Sequence, residues 1–98
     1  MRNKHYYVYL ATNYKNTVIY TGFTSNLINR IWQHKNKFVN SFTSKYKVNR
    51  LLHFEEFDDP ENAIKREKQI KGWLRKKKIK LIKKGNPNFD DLYEIITK

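Results

Sequence analysis

The chain has 98 residues, 39% hydrophobic and 15% aromatic, with no cysteine and a formal net charge of +12. That length fits one compact domain and not two, and the missing cysteines exclude disulfides and thiolate metal sites. No apolar run approaches the roughly 18 residues that span a membrane, and the charge points to a polyanionic partner, nucleic acid ahead of an anionic membrane surface.

The opening Met1-Arg2-Asn3-Lys4-His5 carries no signal-peptide pattern. Tyr6 to Ala11 is rich in strand formers, Asn13-Tyr14-Lys15-Asn16 reads as a turn, and Thr17 to Thr21 reads as a second strand, so residues 5–21 predict a β-hairpin. Gly22 is expected to break that strand, and Ser25 or Asn26 to cap a following helix. Leu27, Ile28, Ile31, Trp32 and Phe38 recur at helical spacing to about residue 38. Residues 39–47 read as a basic loop, and Val48 to Phe57 as a third strand carrying Leu51, Leu52, Phe54 and Phe57. Asp58-Asp59-Pro60-Glu61 predicts a helix start, with a capping Asp, a first-turn Pro and an acid at the positive end of the dipole. That helix is expected to reach about Gly72. A second, basic helix follows from roughly Leu74 to Lys84, ended by Gly85-Asn86-Pro87. Asp90 to Ile96 reads as a short helix or strand. The order β-β-α-β-α-α, with no repeat or linker, predicts an α+β fold: a small three-stranded antiparallel sheet flanked by helices, as one domain over residues 1–98.

The charge is unevenly spread. Residues 1–54 contain no Asp or Glu, and residues 65–84 hold eleven basic residues and one acid, Glu67. On a helical wheel Glu67 falls within the stripe of Ala63, Ile64, Ile70 and Leu74, so it should face the sheet. A buried carboxylate needs compensation. A divalent cation would supply it, since Mg²⁺ sites often use one or two carboxylates with waters and phosphate oxygens; an ion pair to Lys71, four residues on, would serve equally. Arg30 and His34 share a helix face at the border of the Leu27, Ile31 and Phe38 stripe. Arg offers a planar fork to phosphate and His a hydrogen bond or a proton; a solvated Arg and a half-buried His are the plainer alternative. The strand pattern marks none of the seven tyrosines as catalytic. Phosphate-binding glycine loops, His-Cys metal spacings and paired carboxylates are missing.

Taken together, Tyr7-Val8-Tyr9, ten intervening residues, Tyr20-Thr21-Gly22, then Arg30 and His34, resemble the GIY-YIG nuclease superfamily. The stretch Tyr20 to Thr24, the run Ala63 to Trp73 and Asn86-Pro87 before Asp91-Leu92 are similar to its small single-domain bacterial members, the excinuclease-like proteins, over about Tyr6 to Leu92. Thr21 stands where the motif name has Ile, Tyr7 where it has Gly, and Phe23 where some members carry a polar or basic residue.

The resemblance implies a GIY-YIG endonuclease fold and a metal-dependent DNA endonuclease, with a cytoplasmic, nucleoid-associated role in DNA repair or processing. Tyr9 and Tyr20 match the two motif tyrosines, Arg30 the arginine of the first helix, and Glu67 the carboxylate that holds a single Mg²⁺ or Mn²⁺. His34 matches a position often polar, and Asn86 a late asparagine that contacts phosphate in some members. Hydrolysis would use a metal-bound water, with Arg30 stabilising charge, Tyr20 accepting the proton, and Tyr9 and His34 orienting the reactants. A phenol is a weak base at neutral pH, so that role needs nearby positive charge, which this chain has. Lys35, Lys68, Lys71, Arg75, Lys76, Lys77 and Lys78 would contact the backbone of structured or single-stranded DNA with weak sequence specificity. No small-molecule cofactor or membrane is implied. The rival expectation is a non-catalytic nucleic-acid-binding module that keeps the fold.

Overall fold

Five consecutive residues, Val8 to Thr12, are buried. Such a run belongs to a strand covered on both faces, and the computed structural model, which describes residues 5–36 and 45–98, makes it the middle of the sheet. Strand β1 (Tyr6–Thr12) lies between β2 (Ile19–Thr24) and β3 (Arg50–Phe57), antiparallel to both. The expected three-stranded antiparallel α+β fold is therefore observed. Asn13 closes the β1–β2 turn, its side-chain oxygen accepting from the Thr17 and Val18 amides.

Val8, Leu10 and Leu52 pack beneath α2 (Pro60–Lys71) and α3 (Arg75–Gly85) through Ala63, Ile70 and Ile82. Tyr9, Ala11 and Leu51 pack on the other face against Leu27 and Ile31 of α1 (Leu27–Lys35). The last turn, α4 (Tyr93–Ile96), joins that second layer. A register shift between Leu10 and Ala11 leaves one extra residue on β3, a bulge that bends the strand.

Several boundaries differ from expectation. Gly22 does not break β2; it pairs with Tyr9 inside the strand, which continues to Thr24. Asn26, rather than Ser25, caps α1 by accepting from the Asn29 amide. The buried stripe of α1 is narrower than the spacing suggests: Ile28 and Trp32 are exposed, and His34 is buried in their place. Phe38, with the rest of residues 37–44, lies outside the described residues. Val48 is buried but precedes β3. Asp59 caps α2, as its sequence predicts. Among the described residues, no helix is long and apolar enough to cross a membrane.

Candidate active site

Tyr9 is the hub. It stands on the central strand, fully buried, with its ring lying across the backbone of Gly22 on β2. Its hydroxyl shares a 2.7 Å hydrogen bond with His34 Nε2. The rings of Tyr9, Tyr20 and His34 form a triangle with centroid separations of 6.1, 5.6 and 5.6 Å. Arg30, one turn before His34 on α1, is close enough for its charge to act on the same phenol. A neutral imidazole has one donor nitrogen and one acceptor, so the direction of the Tyr9–His34 bond follows the imidazole tautomer. The other ring nitrogen, Nδ1, is buried and has no hydrogen-bond partner among the described residues.

Electrostatics follow from this enclosure. Burial raises the Tyr9 pKa, with Tyr20 and Glu67 adding to the rise and Arg30 opposing it. Burial first, then the Arg30 charge, pulls His34 down from 6.5 to about 4. At neutral pH Tyr9 is a phenol and His34 a neutral imidazole; both can position a group, and neither adds charge. Tyr20 is only half buried and lines the adjoining cleft.

Glu67 reaches the cluster from α2, where its side chain is 14% exposed and its charge acts on Tyr9. The expected stripe is corrected in part: Ala63 and Ile70 are buried, while Ile64 and Leu74 are exposed, Leu74 at 81%. Leu74 fails because the helix stops at Gly72 and restarts at Arg75, which turns it off the shared face. Lys71 Nζ donates to Glu67 Oε2 at 2.8 Å, so the ion pair the spacing allows is formed. No group of three or more acidic or imidazole ligands occurs among the described residues. The donor chemistry still fits one Mg²⁺ or Mn²⁺ at Glu67, because hard cations held through a single carboxylate complete their shell with waters and phosphate oxygens.

The remaining predicted contacts separate into two groups. Lys71 and Lys78 line a cleft of about 240 Å³ with Ile19, Tyr20 and Thr21. Lys68 and Lys76 are exposed, Lys77 sits 4.4 Å above the Trp73 ring, and Arg75 donates to the Asn16 and Thr17 carbonyls. Lys35 is elsewhere, donating to Asp91 at 2.6 Å and to the Asn49 carbonyl at 2.8 Å. Asn86 is buried; its amide donates to the Leu52 and Asp90 carbonyls and accepts from the Asp90 amide. These bonds fasten the tail to β3.

Of the three departures from the motif, Tyr7 and Phe23 lie apart from the Tyr9–His34 pair. Tyr7 lines a separate cleft with Leu27 and Phe54, and Phe23 stacks on Tyr6 at 6.1 Å on the opposite face of the sheet. Sequence reasoning missed the network in which Arg66 donates twice to Glu55 while His53 also contacts that carboxylate at 2.9 Å. The alternation of His53 and Glu55 on one strand face was its only available signal.

Residues 5–80 match the family model of the GIY-YIG catalytic domain. A UPF0213 protein of Pediococcus pentosaceus is 34% identical over 89% of this chain and 90% of its own. One from Staphylococcus saprophyticus is 36% identical over 85% and 99%. The solution NMR structure of a UPF0213 protein from Bacillus halodurans superposes with a TM-score of 0.57 at 25% identity, covering 89% of this chain and 92% of that one.

Proposed function

The chain belongs to the GIY-YIG catalytic-domain family, and on that premise we propose that it is a divalent-cation-dependent DNA endonuclease. One observation carries the reading: His34 bonds the Tyr9 hydroxyl and Tyr20 packs beside both rings, while the charges of Arg30 and Glu67 act on the same phenol, so three different elements converge on Tyr9. A cluster assembled from β2, α1 and α2 around one hydroxyl is more than a core needs.

In this reading Glu67 holds Mg²⁺ or Mn²⁺, which when bound neutralises charge on the phosphate. Arg30 donates to the nonbridging oxygens as negative charge builds on them. Tyr20, at the cleft surface, gives its own proton to solvent and, as a transient phenolate, takes the proton from the attacking water. Tyr9 stays protonated and, with neutral His34 behind it, fixes the Arg30 fork and the face of the Tyr20 ring. The basic helix α3 and Lys68 hold the DNA backbone without reading bases, which supports weak sequence specificity. We place the work in the cytoplasm, in DNA repair or processing.

The Glu67–Lys71 ion pair favours a second reading, a nucleic-acid-binding module whose carboxylate is permanently neutralised. A supercoiled-plasmid nicking assay with Mg²⁺ and with Mn²⁺, run beside Glu67→Gln, separates the two. The nuclease reading expects cleavage in wild type and none in the variant; no cleavage with either ion in wild type, or full activity in Glu67→Gln, overturns it.

A further inference from the structure

Lys71 and Lys78 stand on either side of the break between α2 and α3, yet both border the cleft beside Tyr20. Burial lowers the Lys78 pKa, and the Lys71 charge lowers it further, so the two ammonium groups feel one another. Like charges facing one cleft oppose each other until an anion lies between them. Lys71 is meanwhile committed to Glu67, and among the described residues no carboxylate forms an ion pair with Lys78 at the cleft wall.

The two partners of the ion pair are unequal. Glu67 is 14% exposed and needs a countercharge, whereas Lys71 is 57% exposed on a flexible four-carbon stem. An ion pair whose cation is this open adds little to stability. Lys71 can therefore leave at small cost, provided that another cation serves Glu67.

We propose that Lys71 and Lys78 form a phosphodiester subsite beside Tyr20, and that Lys71 enters it by giving up Glu67 to an incoming divalent cation. In the free protein Lys71 is the resident countercharge of Glu67; in the complex it binds a backbone phosphate next to the one being cleaved. This rests on the nuclease reading for the position of the substrate, but its test reads binding alone.

Glu67→Gln releases Lys71 without any metal. In EDTA, with a short labelled DNA duplex, this variant should bind several-fold more tightly than wild type. Its slope of log affinity against log salt should steepen by about 0.9, one added phosphate contact. In a Lys71→Met background the same change should leave the slope unaltered, and Lys78→Met should also remove the steepening. Separately, Lys71→Met should bind Mn²⁺ alone, followed by electron paramagnetic resonance, several-fold more tightly than wild type or Lys68→Met. An equal change of slope in both backgrounds, or Mn²⁺ affinity in Lys71→Met no higher than in wild type, overturns the proposal. Neither measurement involves turnover, so a protein that cuts nothing counts against the nuclease reading alone.

Discussion

The phenol of Tyr9 fills the space that a side chain on Gly22 would need. A Cβ built at Gly22 falls 2.4 Å from both Cζ and the hydroxyl oxygen of Tyr9, well inside van der Waals contact. The ring cannot step aside without losing its bond to His34. Two residues paired across β1 and β2 thus set the position of the hydroxyl around which the cluster is built. The glycine of the second motif serves close approach, with no positive φ involved.

Gly22→Ala is accordingly expected to destabilise the protein by about 1–3 kcal/mol through overpacking and to abolish cleavage. Urea unfolding of Gly22→Ala, Tyr9→Leu and the double variant checks the cause. The clash account requires that the alanine costs much less once Tyr9 is leucine; additive costs would refute it.

Arg30→Ala should lower the single-turnover cleavage rate about 10²–10³-fold, the usual effect of losing a donor to a developing oxyanion. DNA affinity in EDTA should change far less, because the many cations of α3 remain. Wild-type turnover in this variant would remove Arg30 from the transition state.

His34 predicts a pH dependence of stability. Its folded pKa of about 4 lies below the ordinary 6.5, so between those values the unfolded chain takes up a proton that the folded chain refuses. Stability therefore falls as pH drops from 6.5 to 4 and levels off below, by up to about 3 kcal/mol. Denaturant midpoints measured across that range should show His34→Gln with a flatter profile than wild type. The difference between the two curves removes the carboxylates Glu55 and Asp91, whose lowered pKa values act in the same direction. Parallel curves would show that the imidazole is not held neutral by burial.

Asn86→Ala should cost about 1–3 kcal/mol, because it leaves the buried Leu52 carbonyl without its donor. DNA binding should be unchanged wherever the variant is folded. Weakened binding with an unaltered melting temperature would instead return Asn86 to the phosphate-contact role its sequence position suggests.

Much of the architecture was legible locally. The Asp59 cap, the strand-forming run from Tyr6 and the Gly85-Asn86-Pro87 stop each act over a few residues, where propensity and capping are strong. Tertiary burial decided the rest. Ile28 and Trp32 match the helical period but face outward, because α1 has only one sheet face to cover. His34 reads as a border residue and is buried, since Tyr9 offers it a partner 25 positions away. Asn86 and Lys35 read as contacts for nucleic acid, and both are engaged in fastening the chain's end.

By itself the sequence determined a basic α+β chain with an inward carboxylate on a cationic helix, because composition, period and caps are local properties. Through the spacing of Tyr9, Tyr20, Arg30 and Glu67 it also carried the family resemblance. Only the tertiary structure decided that His34 bonds the Tyr9 hydroxyl with Tyr20 packed beside both rings, that the Tyr9 ring lies where a side chain at residue 22 would clash, and that Lys71 already holds Glu67. Those are relations between elements far apart in the chain, set by strand register and helix packing, which no local pattern encodes.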